Sequence, residues 1–145
     1  MSLKTKKFYP WLVVALLWVV ALLNYMDRQM LSTMQETMKA DISELNRAEA
    51  FGALMAVFLW IYGLVSPFAG IVADRISKKR LVVSSLFVWS AVTFIMGYAT
   101  SFDQLYILRA LMGISEALYI PSALSLIADW HTDKSRSLAV GIHMT

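Results

Sequence analysis

The sequence predicts an all-α membrane chain of four transmembrane helices and the first turns of a fifth. Three observations carry this. Hydrophobic residues make up 59% of the 145 and charged residues only 16%, against about 25% charged in soluble domains. A soluble chain of this length could not hide that apolar excess in one small core. The apolar residues also fall in runs of about the 20 needed to cross the hydrocarbon layer. Finally, the basic residues gather at the ends of those runs, as juxtamembrane charges do. This distribution, and not the net charge of +3, identifies the partner as a lipid bilayer with no nucleic acid. There is no cysteine, which excludes disulfides, thiolate metal sites and thiol chemistry.

Residues 1–7 read as a cytoplasmic basic leader with Lys4, Lys6 and Lys7. The first span covers 8–31, apolar from Phe8 until Asn24, Asp27 and Arg28 interrupt it. It is too long for the apolar region of a signal peptide, and it ends in Asp-Arg with no small-residue cleavage site. Residues 32–49 form a polar extracytoplasmic loop, long enough to extend the helix past the membrane and then turn. The second span, 50–73, has no internal charge. The 74–80 segment is a basic cytoplasmic loop with Arg75, Lys78, Lys79 and Arg80, and the third span follows at 81–99. The extracytoplasmic turn at 100–103 is short, so the third and fourth spans form an antiparallel hairpin, as do the second and third. The fourth span, 104–128, carries Arg109 and Glu116. Residues 129–136 return to the cytoplasm and 137–145 begin a fifth span, so the chain is expected to be truncated. Nine Lys and Arg lie in the leader and the two cytoplasmic segments, against Lys39 and Arg47 on the other side. That bias places the N-terminus in the cytoplasm.

Asp27, Arg28, Arg109 and Glu116 lie inside spans, where each charge costs roughly 2.5–3.5 kcal/mol at a helix centre. Asp27 and Arg28 are towards the outer end of the first span, where snorkelling softens the cost. Arg109 is five residues into the fourth span, so its cost is also reduced. Glu116, near mid-span, has no such escape. Asn24 precedes Asp27 by three residues and Arg28 by four, which puts the three on one helical face. Arg109 and Glu116 are seven apart, two turns or about 10 Å along the axis. Two readings fit this balanced set. It is structural glue, in which internal salt bridges fix helix packing, or it is a proton–anion coupling device. In the second, a carboxyl on which desolvation and a neighbouring arginine act in opposition changes protonation, and its protonation releases the arginine for an anion.

Other features read as packing. Gly113 and Ala117 follow Arg109 at four-residue steps, and Gly52 with Ala56 and Gly63 with Pro67 echo that spacing. Small residues so placed let helix backbones approach closely. Pro121 is expected to kink the fourth span or free a carbonyl. Trp11, Trp18 and Tyr25 are interface anchors or lipid-facing bulk, and Met30, Met34 and Met38 pack at helical spacing. Asp129, His131 and Asp133 read as a solvated turn and not a metal site.

From Gly70 the chain reads Gly-Ile-Val-Ala-Asp-Arg-Ile-Ser-Lys-Lys-Arg to Arg80. This resembles the signature loop of the major facilitator superfamily, Gly-x-x-x-Asp-Arg/Lys-x-Gly followed by basic pairs, with Ser77 where glycine is usual. A turn that required positive φ would suit serine poorly. Arg109-x-x-x-Gly113-x-x-x-Ala117 is similar to the family's fourth-helix motif. Asn24-Tyr-Met-Asp-Arg28, Glu116 and Pro121-Ser-Ala narrow the likeness to the anion:cation symporter branch, which carries sugar acids and organic anions, and to bacterial spinster-like members. The resemblance implies a twelve-helix major facilitator fold, of which this chain holds the N-terminal four helices and the start of a fifth.

The resemblance further implies a secondary transporter, not an enzyme, that couples protons to symport of a small organic anion by alternating access. Glu116 and Asp27 would be the proton-coupling groups. Arg28 and Arg109 would receive the anion, with Asn24 and Tyr25 as polar contacts. Gly70, Asp74, Arg75, Lys78, Lys79 and Arg80 would serve the gate. The proton is the coupling ion and no other cofactor is expected. The partners are the bilayer, a small solute and the missing C-terminal part of the transporter, and the location is the inner (plasma) membrane. A spinster-like exporter of lipids, amphiphiles or drugs is the alternative. A four-span protein acting as a non-transporting subunit or small homo-oligomer is a second alternative.

Overall fold

A computed structural model describes residues 8–145 apart from the Asp133 side chain; the expected basic leader, residues 1–7, lies outside the described residues. Among the described residues the helices are α1 (Tyr9–Thr33), α2 (Gln35–Asp41), α3 (Ala48–Arg75), α4 (Lys78–Met96), α5 (Phe102–Trp130) and α6 (Asp133–Met144), with a 3-10 turn at Ser43–Asn46. Four of them, α1, α3, α4 and α5, are long and apolar enough to cross a membrane. α3 runs through Pro67 and α5 through Pro121.

The chain divides into two compact units. The first joins the described part of Met1–Thr33 to Ala123–Thr145. In it α1 packs on α6. Val14 and Leu17 of α1 are buried, as are Ala139 and His143 of α6; both pairs have the three- or four-residue spacing of one helical face. Leu12, Leu16, Val19 and Leu23, on other faces of α1, are exposed. Exposed hydrocarbon on this scale is costly in water and ordinary in lipid.

The second unit is Met34–Ser122. Here α3, α4 and the first part of α5 pack around Phe58, Val92 and Met112, with Trp89, Met96 and Leu108 against them. A Cβ built on Gly113 of α5 would meet the Phe58 carbonyl oxygen of α3 at 2.9 Å, and Ile61 Cβ and the Tyr62 nitrogen at 3.3 Å. Glycine is therefore what lets these two backbones touch. On the α4 side, Ser115 Oγ donates to the Ser85 carbonyl at 2.6 Å. Gly52 and Gly63 behave differently from the expected close-packing steps, since a Cβ on either would meet open space. Small residues permit close approach only where a second helix is present.

The connections also depart from expectation. The 74–80 segment, read as a loop, is nearly all helix. Asp74 and Arg75 close α3, Lys78, Lys79 and Arg80 open α4, and only Ile76 and Ser77 join them. Ser77 has φ −59° and its Oγ accepts from the Arg80 N–H at 3.3 Å, an N-cap that satisfies an otherwise unpaired amide. No described non-glycine residue has positive φ, so the turn does not need glycine. The 32–49 stretch holds α2 and the 3-10 turn, with Ile42 and Leu45 buried and the turn packed on α3. At the start of α5, Gln104 Oε1 accepts from the Thr100 N–H at 2.9 Å while the Gln104 N–H donates to Ser101 Oγ at 3.4 Å, a close relative of the capping box.

Candidate functional site

α5 carries Arg109 and Glu116, and each is only 2% exposed. Their positions on one helix follow from its 3.6-residue period: seven residues return the chain to nearly the same face. Arg109 was expected to relieve its charge by lying near the helix end. Instead it is buried, and its guanidinium is turned against α3. The guanidinium carbon lies 4.8 Å from the centroid of the Phe58 ring. Nη1 lies 3.3 Å from Met112 Sδ and Nη2 3.9 Å from Met55 Sδ. An aromatic face attracts a cation through its quadrupole, and a thioether sulfur is a weak acceptor. Both are compatible with a dry surrounding.

Glu116 sits one turn beyond Met112, between the buried Ser115 and Ala117. With Met112, Gly113 and Tyr119, its neighbours at three- and four-residue spacing, it forms a face on which all four side chains or backbones are buried. A carboxyl and a guanidinium thus sit two turns apart in an apolar wall. That arrangement can bind an anion at the base and take up or release a proton at the acid.

Asn24, Asp27 and Arg28 are half-buried on α1, in the first unit, and Tyr25 beside them is 62% exposed. The residues expected to serve a gate fall at or near the α3–α4 turn. Asp74, Arg75, Lys79 and Arg80 are exposed, while Gly70 and Lys78 are half-buried. Asp74, expected to pair with arginines, makes no ion pair among the described residues. Its place at the last turn of α3 puts a negative charge where the helix dipole favours a positive one.

Two other readings change. Met30 and Met34, taken as packing residues, are exposed. His131, read as part of a solvated turn, is 6% exposed. It follows the last residue of α5, its Nδ1 lies 3.2 Å from the Ile127 carbonyl, and its ring meets Trp11 edge-on at 4.9 Å. The ring folds back over the last turn of α5, whose Ile127 carbonyl also accepts from the His131 N–H at 3.1 Å, and is buried there against Trp11. Tyr9 and Trp130 meet beside it at 4.9 Å. Among the described residues no three His, Asp or Glu are grouped to hold a metal.

Sequence reasoning missed Met55 and Phe58. Met112 was within reach, since it stands three residues after Arg109 on the same helix. The α3 partners depend on which helix packs against α5, and no local spacing encodes that.

Comparison with known proteins places this geometry. The family model of the Major Facilitator Superfamily matches residues 17–145. A probable galactarate/D-glucarate transporter of Pseudomonas putida is 29% identical over 138 residues, covering 91% of this chain and 30% of the relative. A probable L-galactonate transporter of Escherichia coli is 32% identical over 126 residues, covering 87% of this chain and 27% of the relative. Among solved structures, a bacterial homologue of the human lysosomal transporter Spinster, inward-facing and unoccupied, superposes with a TM-score of 0.84 at 28% identity, over 96% of this chain and 29% of its own. The chain thus spans less than a third of the length of these proteins.

Proposed function

The chain belongs to the Major Facilitator Superfamily, a family of transporters and not of enzymes, and we propose that the intact protein is a proton-coupled symporter of a small organic anion of the sugar-acid class. The observation that carries this reading is the burial of Arg109 and Glu116 on one face of α5. Ionisable residues inside a span are costly and mark substrate or ion pathways by default. Arg109 lies among thioethers and an aromatic ring, and its guanidinium fork suits a carboxylate through charge-assisted, bidentate hydrogen bonds. Glu116 is the proton-coupling group, with Asp27 as the second. Arg109 receives the anion, with Arg28, Asn24 and Tyr25 as further substrate-binding residues.

The α3–α4 turn, with Gly70, Asp74, Arg75, Lys78, Lys79 and Arg80, serves the gate that alternates access between the two sides. The nine-to-two distribution of Lys and Arg supports a plasma-membrane orientation with the N-terminus in the cytoplasm. The sugar-acid relatives support the substrate class.

The test is Glu116→Gln in the intact protein reconstituted in liposomes. Gradient-driven accumulation of D-glucarate or L-galactonate is expected to be lost, while exchange of external for internal anion persists. Undiminished accumulation driven by a pH gradient would remove Glu116 from the coupling role.

A spinster-like exporter is the second reading, supported by the TM-score of 0.84 to the bacterial spinster homologue. It predicts that a single-chain amphiphile, and neither sugar acid, is moved by the same liposomes.

A further inference from the structure

The guanidinium of Arg109 is held against an aromatic ring. Its carbon lies 4.8 Å from the centroid of the Phe58 ring, while Nη1 lies 3.3 Å from Met112 Sδ and Nη2 3.9 Å from Met55 Sδ. A cation over a ring face is attracted by the ring quadrupole, whereas a carboxylate is bound through N–H donors. Held over the ring, the long side chain loses the rotational freedom that it would otherwise give up when the anion binds.

A second, backbone observation explains why the ring is there. The Phe58 carbonyl lies 2.9 Å from where a Gly113 side chain would begin. Gly113 comes four residues after Arg109 on α5, one turn along the same face. Glycine thus brings α3 against α5 at the residue whose ring covers the guanidinium.

We infer that Phe58 is a positioning residue for Arg109, seated by the helix contact at Gly113, and that anion affinity depends on the electron density of its ring. The inference rests on the reading of Arg109 as the anion-receiving group.

The experiment replaces Phe58 in the intact protein by phenylalanines bearing one, two and three ring fluorines. Fluorine drains the quadrupole with little change in volume. Uptake of D-glucarate and L-galactonate into liposomes is measured for each. KM is expected to climb stepwise, reaching about fivefold at three fluorines, while kcat stays at the wild-type value. Phe58→Tyr keeps the ring and is expected to hold KM within about twofold, whereas Phe58→Leu fills the space without a quadrupole and raises it.

A KM that stays flat across the fluorinated series would overturn the inference and leave Phe58 as packing. Arg109→Ala in the same assay separates the two failures. If it abolishes uptake while the fluorinated series is flat, only the positioning role fails. If it leaves KM unchanged, or if the wild type takes up neither anion, the anion-site reading fails and the positioning role falls with it.

Discussion

Replacing Gly113 by alanine isolates the contact on which the α3–α5 pair is built. The new methyl carbon would stand 2.9 Å from the Phe58 carbonyl oxygen, about 0.5 Å inside the 3.4 Å at which ordinary contact begins, and 3.3 Å from Ile61 Cβ and the Tyr62 nitrogen. Two of these three atoms are backbone, so no rotamer change relieves them and the helices themselves must part. Overpacking of this kind costs about 1–3 kcal/mol. Against it, alanine in a helix recovers about 0.5–1 kcal/mol relative to glycine. The net expectation is a loss of about 1–2 kcal/mol. Gly97→Ala is the control. It sits at the end of α4 with right-handed helical angles, and its Cβ would meet only the Phe94 carbonyl at 3.4 Å, so it should leave stability unchanged or raise it by up to about 1 kcal/mol. The assay is reversible unfolding of the intact protein in mixed micelles, titrated with denaturing detergent and read by tryptophan fluorescence. Equal stability for Gly113→Ala and Gly97→Ala would refute the close-contact reasoning.

Three further outcomes follow from the same geometry. Ser77→Ala removes the cap on the Arg80 N–H and should lower stability by about 1 kcal/mol, while Ser77→Gly should cost only a few tenths; the same unfolding titration ranks them. Leu45→Ala empties a fully buried site under the 3-10 turn and should cost about 2–4 kcal/mol, with earlier proteolytic cleavage of the 32–49 segment as a local check. Arg109→Lys keeps the charge but gives up the planar fork, so the KM for D-glucarate should rise about tenfold or more with protein yield unchanged.

The spans were readable because the physics that makes them is local. A run such as Ala50–Ala73 needs no partner to declare itself, and lipid imposes helix on any such run. The polar connections were harder. Ile42 and Leu45 are two apolar residues in a charged stretch, a weak signal for the 3-10 turn that they anchor. At 74–80 the basic composition suggested a loop, yet Lys78, Lys79 and Arg80 form the first turn of α4. Charge argues against helix at an N-terminus only by fractions of a kcal/mol, and the Ser77 cap offsets that.

The candidate site divides along the same line. Arg109 and Glu116 stood out because intramembrane charges are expensive wherever they occur, and their seven-residue spacing fixed a common face before any partner was known. What surrounds them is a tertiary fact. Phe58 and Met55 sit more than 50 residues before Arg109 and look like any other apolar residue of their span. Their role appears only once Gly113 has set the distance between α3 and α5. The fourth-helix motif then has a mechanical meaning beyond close packing. Its arginine supplies the charge, and the glycine one turn later admits the helix whose aromatic ring holds that charge in place. A bulkier residue at 113 would therefore disturb the arginine even with the arginine itself intact. On this argument Gly113→Ala should impair anion affinity as well as stability, whereas Gly97→Ala should impair neither.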